Sequence, residues 1–385
     1  MKIICITNLF PYSTRPGLAP FNRQQLIHVA GRHELHIIAP VPWPHRLKAA
    51  INGSAVEPLP GCRELMDIHH PVYFYTPFLF RSLYGRFYVR SIRKTFREIA
   101  RLANPDLVYA TWAYPDCYAA SVLASQQGLP LVSRVHGSDI NRLFNYPRRR
   151  QMILEAMQYS EAVISVSRAM KEKLVEAGID SDKIRVVLNG VDRDLFSPSP
   201  RDKARRITGI PEDAEVILFA GNLKKGKGVD LLLRAFEDLA RPSAQLHIIG
   251  DGPEMKALRD MREDSHRQNK IFIHGRVDHR DMPGWYNSCD LFCLPSFNEG
   301  TPNVILEALS CSRPVVASGT GGIPDIVNAE SGILFPPGDG SALRLALDES
   351  LEMNWDRGRI KCPAGSWDEN ASELDRIFSS LLKGE

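Results

Sequence analysis

Short apolar runs alternate with helix-forming stretches along the whole chain, and this alternation restricts the fold more than any other feature. Runs rich in Val, Ile, Leu and Phe are typical of strands buried on both faces, which pair in parallel sheets covered by helices. The sequence therefore predicts an α/β fold built on doubly wound sheets.

The predicted strands fall into two sets. The first set lies at residues 2–7, 35–39, 107–111, 131–135, 162–166 and 185–188. The second set lies at residues 216–220, 245–249, 271–274, 291–294 and 314–317. Between the two sets, residues 193–215 combine prolines with many charges and are predicted to be a linker.

A length of 385 residues suits two domains, because a single core rarely grows this large. We predict doubly wound domains at residues 1–192 and 205–362. Open α/β sheets bind their ligands beyond the carboxyl ends of the strands. We therefore expect the two domains to face each other across a cleft that holds the ligands.

The charge is unevenly distributed along the chain. Residues 1–190 contain 24 Lys and Arg against 14 Asp and Glu, a net charge of +10, whereas the remaining residues carry −7. We expect the basic half to meet an anionic surface or an acidic ligand.

Cysteine usage and apolar runs bear on the compartment. Seven scattered cysteines are not the pattern of a disulfide framework, so we expect ordinary buried thiols. No apolar run approaches the roughly 18 residues of a membrane-spanning helix. Asn8 and Pro11 interrupt the first apolar run too early for a signal peptide, which predicts a first strand and a cytoplasmic location.

The most informative motif is SFNEGTPNVILEALSCSRPVVAS, in which seven residues separate Glu299 from Glu307. It follows the buried run at 290–295 and leads into an apolar helix. Glu299 should lie in the loop before this helix and Glu307 about a turn and a half inside it. An ordinary capped helix with two surface acids is the simpler interpretation of this pattern taken alone.

The same motif predicts an anion site. Thr301 is a good N-cap and Pro302 a good first helical residue. Backbone amides near Asn303 and Val304 would then point back at the loop. Such a helix end is suited to binding a diphosphate.

When this motif is considered with the other motifs of the sequence, the chain resembles the retaining glycosyltransferases of family 4, which have the two-domain GT-B fold. The resemblance covers essentially the whole chain, with the motifs in the order typical of the family. Besides the pair of glutamates, it is carried by VLNGVDRDLF (187–196), FAGNLKKGKGVDLLLRAF (219–236), IIGDGP (248–253), HGRV (274–277) and GGIPDIV (321–327).

The resemblance implies a role for each matching residue. Glu299 would contact the transferred sugar, Glu307 the ribose, and Lys227 the donor diphosphate, where a fixed cation stabilises the charge of the leaving group. Catalytic roles would fall on His136, Glu299 and Lys227. Donor binding would involve Gly17, Asn222, Lys227, Gly250, Val277, Glu299, Gly300, Thr301, Asn303, Val304 and Glu307.

Asn222 departs from the family, which usually has Arg at this position. Asparagine can donate a hydrogen bond but supplies no charge. Lys224 or Lys225 would be the compensating cation. Because of this departure, a catalytically silent sugar-nucleotide-binding protein remains an alternative.

Two further candidates lie in the first domain. His136 ends a predicted strand, where the family has a functional His over the sugar site, although a lone His is more often structural. Gly17 falls where a glycine loop of the family lets the backbone approach the donor or acceptor. This loop is not GxGxxG, which argues against a nicotinamide dehydrogenase.

Arg86, Arg90, Arg93, Arg97 and Arg101 recur at helical spacing and form a basic stripe. One interpretation is a solvated helix face. The other is a surface for anionic lipid or a lipid-diphosphate acceptor, with the enzyme peripheral on the inner face of the membrane.

The resemblance implies transfer from a nucleotide sugar to a glycan or lipid-linked acceptor, with the anomeric configuration retained. The donor is a substrate, and neither cofactor nor metal is expected. Residues 1–192 would be the Rossmann-like domain facing the acceptor and 205–362 the Rossmann-like domain binding the donor, with a helix at 366–382 packing back onto the first.

Short segments such as WAYPDCYAA (112–120) are most similar to those of transferases that build bacterial cell-surface polymers such as teichuronic acid. A nucleotide-sugar epimerase of the same fold is a second alternative, against which the glutamate pair and HGSD (136–139) argue. A nucleic-acid-binding module is a third, but the arginines match no recognisable nucleic-acid motif.

Overall fold

The computed structural model describes residues 1–76, 79 and 83–383. The chain forms two compact units, Met1–Gly190 with Trp367–Glu385, and Val191–Ser366. We call them unit 1 and unit 2. The second unit thus begins at Val191, earlier than the predicted boundary at residue 205.

Unit 1 contains a parallel sheet of seven strands in the order β4-β2-β1-β6-β7-β8-β9, and a two-stranded sheet of β3 and β5. The chain order reverses between β1 and β6, which lie side by side in the sheet. The strands are β1 Lys2–Ile6, β2 Glu34–Ile38, β3 Val41–Pro42, β4 Asp67–His69, β5 Val72–Tyr73, β6 Leu107–Ala110, β7 Leu131–Val135, β8 Ala162–Ser165 and β9 Ile184–Val186.

Helices cover this sheet because its strands are apolar on both faces. One buried cluster includes Ile3, Leu107 and Phe378, and the cluster on the other face includes Ile4, Val108 and Phe96. The helices are α1 Pro20–Ala30, α2 Trp43–Ile51, α3 Tyr84–Ala103, α4 Tyr118–Ser125, α5 Ser138–Leu143, α6 Pro147–Tyr159, α7 Arg168–Glu176 and, at the end of the chain, α14 Trp367–Lys383.

Helix α14 is tied to the rest of unit 1 by buried contacts. Gln25 donates to the Asn370 side chain at 2.8 Å, and the Phe378 ring packs against Tyr109. A side chain at Gly190 would come within 2.7 Å of the Trp367 backbone. The chain therefore leaves unit 1 and returns to it at adjacent points.

Unit 2 contains a parallel sheet of six strands in the order β12-β11-β10-β13-β14-β15. Here the chain order reverses between β10 and β13. The strands are β10 Glu215–Ala220, β11 Ala244–Ile249, β12 Ile271–Gly275, β13 Leu291–Leu294, β14 Val315–Ser318 and β15 Gly332–Phe335. The helices are α8 Arg201–Thr208, α9 Val229–Glu237, α10 Met255–Asp264, α11 Met282–Ser288, α12 Asn303–Ser310 and α13 Gly340–Glu352.

The predicted α/β fold with parallel sheets is confirmed, and every predicted strand is present to within two residues at each end. The linker prediction is wrong in part, because α8 lies inside residues 193–215. Its Arg205 is buried and bonds to the Ser288 carbonyl at 3.0 Å and to the Asp290 carboxylate at 2.7 Å. These contacts fold the charged segment onto unit 2.

Candidate active site

The candidate donor site lies at the carboxyl ends of the strands of unit 2, beside the reversal between β10 and β13. Ligands of doubly wound sheets bind at this kind of crevice. Two loops contribute most of the predicted residues. One spans residues 221–228 after β10, and the other spans 295–302 after β13.

Backbone contacts hold these two loops against each other. Gly228 has φ +64°, and a side chain there would come within 2.2 Å of the Pro295 carbonyl oxygen. The Phe297 amide donates to the Gly226 carbonyl at 3.0 Å. Only glycine allows this approach, so the packing of the two loops requires glycine at position 228.

The loop that carries Glu299 is also supported from its other side. Gly321 has φ +58°, and a side chain there would come within 2.0 Å of the Glu299 carbonyl oxygen. The Gly322 amide donates to the Gly300 carbonyl at 2.7 Å. The motif GGIPDIV therefore serves to fix the backbone of Glu299.

Lys227 and Glu299 are in contact within this pair of loops. The Lys227 ammonium meets a carboxylate oxygen of Glu299, and the two side chains are only 17% and 11% exposed. Lys227 ends a short 3₁₀ turn, Lys225–Lys227. The structure thus brings together two of the predicted residues, and Lys227 is not a solvated loop lysine.

Helix α12 begins one residue later than predicted. Pro302 is the N-cap with an extended backbone (φ −74°, ψ 119°), and its carbonyl accepts the Ile305 amide at 3.1 Å. The prediction of Thr301 as cap and Pro302 as first helical residue is wrong, because a proline φ also suits the cap and its carbonyl closes the first turn. The amides of the first turn, around Asn303 and Val304, still point out of the helix at this end.

Glu307 lies inside helix α12, where two partners hold its carboxylate. Tyr286 donates its hydroxyl to Oε2 at 2.8 Å, and His279 Nε2 lies 3.1 Å from Oε1. The hydrogen bond to Glu307 raises the pKa of His279, and burial raises the pKa of Tyr286 well above its usual value. Sequence reasoning missed both partners, although His279 follows the HGRV motif by two residues.

The other predicted donor residues of unit 2 differ in their surroundings. Gly250 has φ +143°, and a side chain there would come within 1.8 Å of the Gly221 carbonyl oxygen, so this glycine is required by loop packing. Asn222 is exposed, as are Lys224 and Lys225 beside it. Half-buried are Val277, Asn303 and Val304, and buried are Gly300 and Thr301.

His136 belongs to unit 1, at the carboxyl end of β7. Its ring lies between Phe21 and Trp112, with centroids 4.9 and 6.0 Å away, and its amide donates to the Asp139 carboxylate at 3.1 Å. Desolvation and the nearby Arg134 hold the pKa of His136 well below its usual value, so the ring is neutral. Its Nε2 has no hydrogen-bond partner within the part of the chain that the structure describes.

Gly17 also belongs to unit 1, in the loop between β1 and α1. A side chain at this position would meet none of the described atoms within 4 Å. The left-handed residue of the loop is Ala19, with φ 44°. The loop conformation itself therefore does not require glycine at position 17.

The basic stripe lies on the outer face of α3. The opposite face buries Tyr88, Ile92 and Phe96 in the core of unit 1. The arginines Arg86, Arg90, Arg97 and Arg101 are exposed, and Arg93 is half-buried.

Two Asp-x-Asp triplets occur in the chain, at residues 180–182 and 192–194, and the first aspartate of each accepts a local backbone amide. Asp180 accepts the Asp182 amide at 2.9 Å, and Asp192 accepts the Leu195 amide at 3.0 Å. Among residues 1–76, 79 and 83–383, no group of three or more His, Cys, Asp or Glu is arranged to hold a metal ion. None of the helices in the described part of the chain combines the length and apolar character needed to span a membrane.

Comparison with known families gives two matches that follow one another along the chain. Residues 21–195 match Glycosyltransferase Family 4, and residues 200–364 match Glycosyl transferases group 1. A glycosyltransferase of Methanocaldococcus jannaschii is 30% identical over 274 residues, which are 66% of this chain and 70% of that protein. A Bacillus subtilis glycosyltransferase named for teichuronic acid biosynthesis, TuaC, is 28% identical over 358 residues, 90% of this chain and 88% of that protein.

Among solved structures, Anabaena HepE in complex with UDP has a TM-score of 0.71 and 20% sequence identity, and the match covers 100% of both chains. HepE has also been solved with UDP-glucose, with a TM-score of 0.69 and 20% identity. At this identity the likeness establishes the fold. With the motifs, the fold and the family matches in agreement, the chain belongs to the family 4 glycosyltransferases of GT-B fold.

Proposed function

We propose that this glycosyltransferase uses a nucleoside-diphosphate sugar as donor and binds it at the candidate site of unit 2. The observation that carries the proposal is the contact of Lys227 with Glu299 next to the amino end of helix α12. Breaking the glycosidic bond places charge on the leaving diphosphate. A fixed ammonium and a helix amino end stabilise that charge.

The two glutamates have different tasks in this proposal. Glu299 contacts the transferred sugar from the loop, and Glu307 accepts hydrogen bonds from the ribose hydroxyls. The HepE complexes with UDP and UDP-glucose support a nucleotide sugar as the donor class. We further propose transfer with retention of the anomeric configuration, supported by the family to which the chain belongs.

Metal-independent transfer is part of the proposal. A divalent ion would serve to neutralise the diphosphate. In this chain the corresponding positive charge comes from Lys227 and the helix end, with exposed Lys224 and Lys225 beside Asn222. Activity should therefore persist in a chelator such as EDTA.

His136 is proposed to act on the sugar side of the reaction. Its neutral ring has an unpartnered Nε2 among aromatic side chains. Depending on the tautomer, this atom can donate or accept one hydrogen bond with a sugar hydroxyl. Leaving such a buried polar atom without a partner is costly, which favours an occupied site during turnover.

The acceptor is proposed to be a glycan or lipid-linked sugar of a cell-surface polymer, supported by the similarity to TuaC. The basic stripe would bring unit 1 to an anionic membrane that carries this acceptor. Glu98, the one acid among residues 84–103, pairs with Lys94 at 3.9 Å rather than with the stripe. Phe74, which is 64% exposed and whose amide bonds to Ser91 of α3, adds an apolar contact beside it.

The direct test is a panel of UDP-, GDP- and ADP-sugars assayed for release of the nucleoside diphosphate. We expect one donor to raise the melting temperature of the protein and to be turned over once acceptor is supplied. A donor that binds without any turnover would favour the silent binding protein. The absence of binding to all donors would contradict the proposal.

A further inference from the structure

Both oxygens of the Glu307 carboxylate accept a hydrogen bond from within unit 2. Tyr286 donates to Oε2 at 2.8 Å, and His279 Nε2 lies 3.1 Å from Oε1. The three side chains come from different elements, since Tyr286 belongs to α11, Glu307 to α12, and His279 to the segment before α11. Each oxygen is thus held from a separate direction.

The two partners of Glu307 are anchored differently. Tyr286 is fully buried, and its ring packs edge-on against Phe292 in the core. His279 is 48% exposed, and one edge of its ring rests on Phe196 at a centroid distance of 5.1 Å. Tyr286 is therefore part of the core, whereas His279 is a surface residue whose principal polar contact is Glu307.

The electrostatic surroundings of His279 strengthen this contact. The hydrogen bond and charge of Glu307 raise the pKa of His279, and Asp192 and Asp278 act in the same direction. A larger protonated fraction gives a charge-assisted hydrogen bond, which is stronger than a neutral one. His279 therefore restrains the Glu307 carboxylate more firmly than a neutral donor would.

The restraint decides which acceptor positions of the Glu307 carboxylate stay free for a ligand. An ionised carboxylate offers about four lone-pair positions. Tyr286 and His279 take one on each oxygen, which leaves one on each for a ligand. A pair of neighbouring hydroxyls matches that arrangement. The last torsion of a glutamate is broad, so without His279 the carboxylate would turn about the Tyr286 bond.

We infer that His279 is a positioning residue for the ribose of the donor. It fixes the Glu307 carboxylate so that its two remaining acceptor positions meet the 2′- and 3′-hydroxyls together. The inference rests on the proposed role of Glu307 and adds a second residue to the ribose site.

The experiment measures binding of UDP, GDP and ADP, and of their 2′-deoxy forms, by calorimetry to the full chain. For the nucleotide that binds, we expect wild type to prefer the ribose form by about tenfold, the effect of one well-placed hydrogen bond. His279→Ala should reduce that preference to about threefold or less. His279→Gln, which retains one donor, should restore most of it.

Arg280→Ala is the matched control, because Arg280 is the exposed neighbour of His279. This variant should keep the wild-type preference for ribose. The mutation and the missing hydroxyl form a double-mutant cycle, and a purely structural role of His279 would weaken both nucleotides equally. Equal weakening in His279→Ala would overturn the inference.

A further variant separates this inference from the proposed function. If Glu307→Ala loses the ribose preference while His279→Ala keeps it, only the inference fails. If wild type and Glu307→Ala bind ribose and deoxyribose nucleotides alike, both the inference and the proposed role of Glu307 are overturned.

Discussion

The two units carry candidate sites of opposite character. In unit 2, Lys227 and Glu299 form an ion pair near the amino end of α12. The loops around them pack closely because Gly228 and Gly321 have no side chains. In unit 1, a neutral His136 lies among aromatic rings, and the charges are spread over the exposed face of α3. In the proposed function, the fixed charges of unit 2 bind the donor diphosphate, and the neutral His136 of unit 1 acts on the sugar.

The structure also changes the charge contrast between the two halves of the chain. Residues 367–385 contain two basic and five acidic residues, and they belong to unit 1. The net charge of unit 1 is therefore +7 rather than +10, and that of unit 2 is −4 rather than −7. The sign of the contrast remains, and it is smaller than the linear sequence indicates.

The largest effect is expected from Glu299→Gln, which removes the charge that we propose acts on the transferred sugar while preserving the shape of the side chain. We expect kcat to fall by about 100-fold or more with donor affinity changed only a few-fold, because the contact strengthens as the bond breaks. Steady-state kinetics with the preferred donor measure this. Glu330→Gln, an exposed acid of the same unit, should leave kcat unchanged. Near-normal kinetics for Glu299→Gln would remove it from the site.

Lys227→Ala tests the charged character of the same site from the phosphate side. We expect kcat/KM to fall at least tenfold, about 1.4 kcal/mol, for the loss of one charge-assisted hydrogen bond. Lys225→Ala and Lys224→Ala are the comparison variants, and each should cost less than Lys227→Ala because both side chains are exposed. A loss below threefold for Lys227→Ala, with a larger one for Lys224→Ala or Lys225→Ala, would place the diphosphate on the other lysines.

His136 tests the neutral character of the unit 1 site. His136→Ala should lower kcat by about tenfold, and His136→Gln should recover part of it, because the amide can replace one hydrogen bond. Since the pKa of His136 is held well below its usual value, its titration should not shape the rate between pH 6 and 8. A rate step near pH 6.5 that disappears in His136→Gln would contradict this assignment.

The pH dependence of the free energy of unfolding is a second test of whether His136 is neutral in the folded protein. A histidine with a depressed folded-state pKa binds fewer protons folded than unfolded below about pH 6.5. The free energy of unfolding should therefore decrease as the pH falls from 6.5 to 5, and less steeply in His136→Gln. Denaturant titrations at several pH values measure this free energy. If its dependence on pH is the same in wild type and His136→Gln, the His136 ring is not desolvated.

Neutralising the basic stripe is expected to have the smallest effect on the reaction rate and the largest effect on membrane binding. Each basic side chain near an anionic surface contributes about 1 kcal/mol, and salt screens it. Neutralising Arg86, Arg90, Arg93 and Arg97 to Gln should abolish sedimentation with anionic liposomes and leave donor binding in unit 2 unchanged. Wild-type protein that ignores such liposomes at low salt would show the stripe to be a solvated helix face.

The sequence was most informative where structure is local. Apolar runs buried on both faces identify strands by themselves, so both central sheets could be predicted. The strands that the sequence does not reveal are short or partly polar, such as β4 at an edge of the sheet, where Asp67 is exposed and His69 is half-buried. The cap of α12 was displaced by one residue, because proline suits two adjacent positions.

Contacts between distant residues were beyond the sequence pattern. The Glu299 motif is evident in the sequence, and the resemblance to the family assigns Lys227 to the donor diphosphate, but neither predicts the contact between the two side chains. His279 and Tyr286 lie 28 and 21 residues from Glu307 and belong to no quoted motif. Their meeting depends on how α11 packs beside α12, which follows from tertiary structure alone.

Sugar transfer from a nucleotide donor with retention of configuration, as proposed here, is tested by NMR of the first-formed product. An α-linked donor chosen from the panel is incubated with enzyme and acceptor, and the anomeric coupling is recorded before any secondary reaction. We expect an α-linked product, formed by wild type and absent or strongly reduced with Glu299→Gln. A β-linked product, or an α-linked product formed equally well by Glu299→Gln, would contradict the proposal.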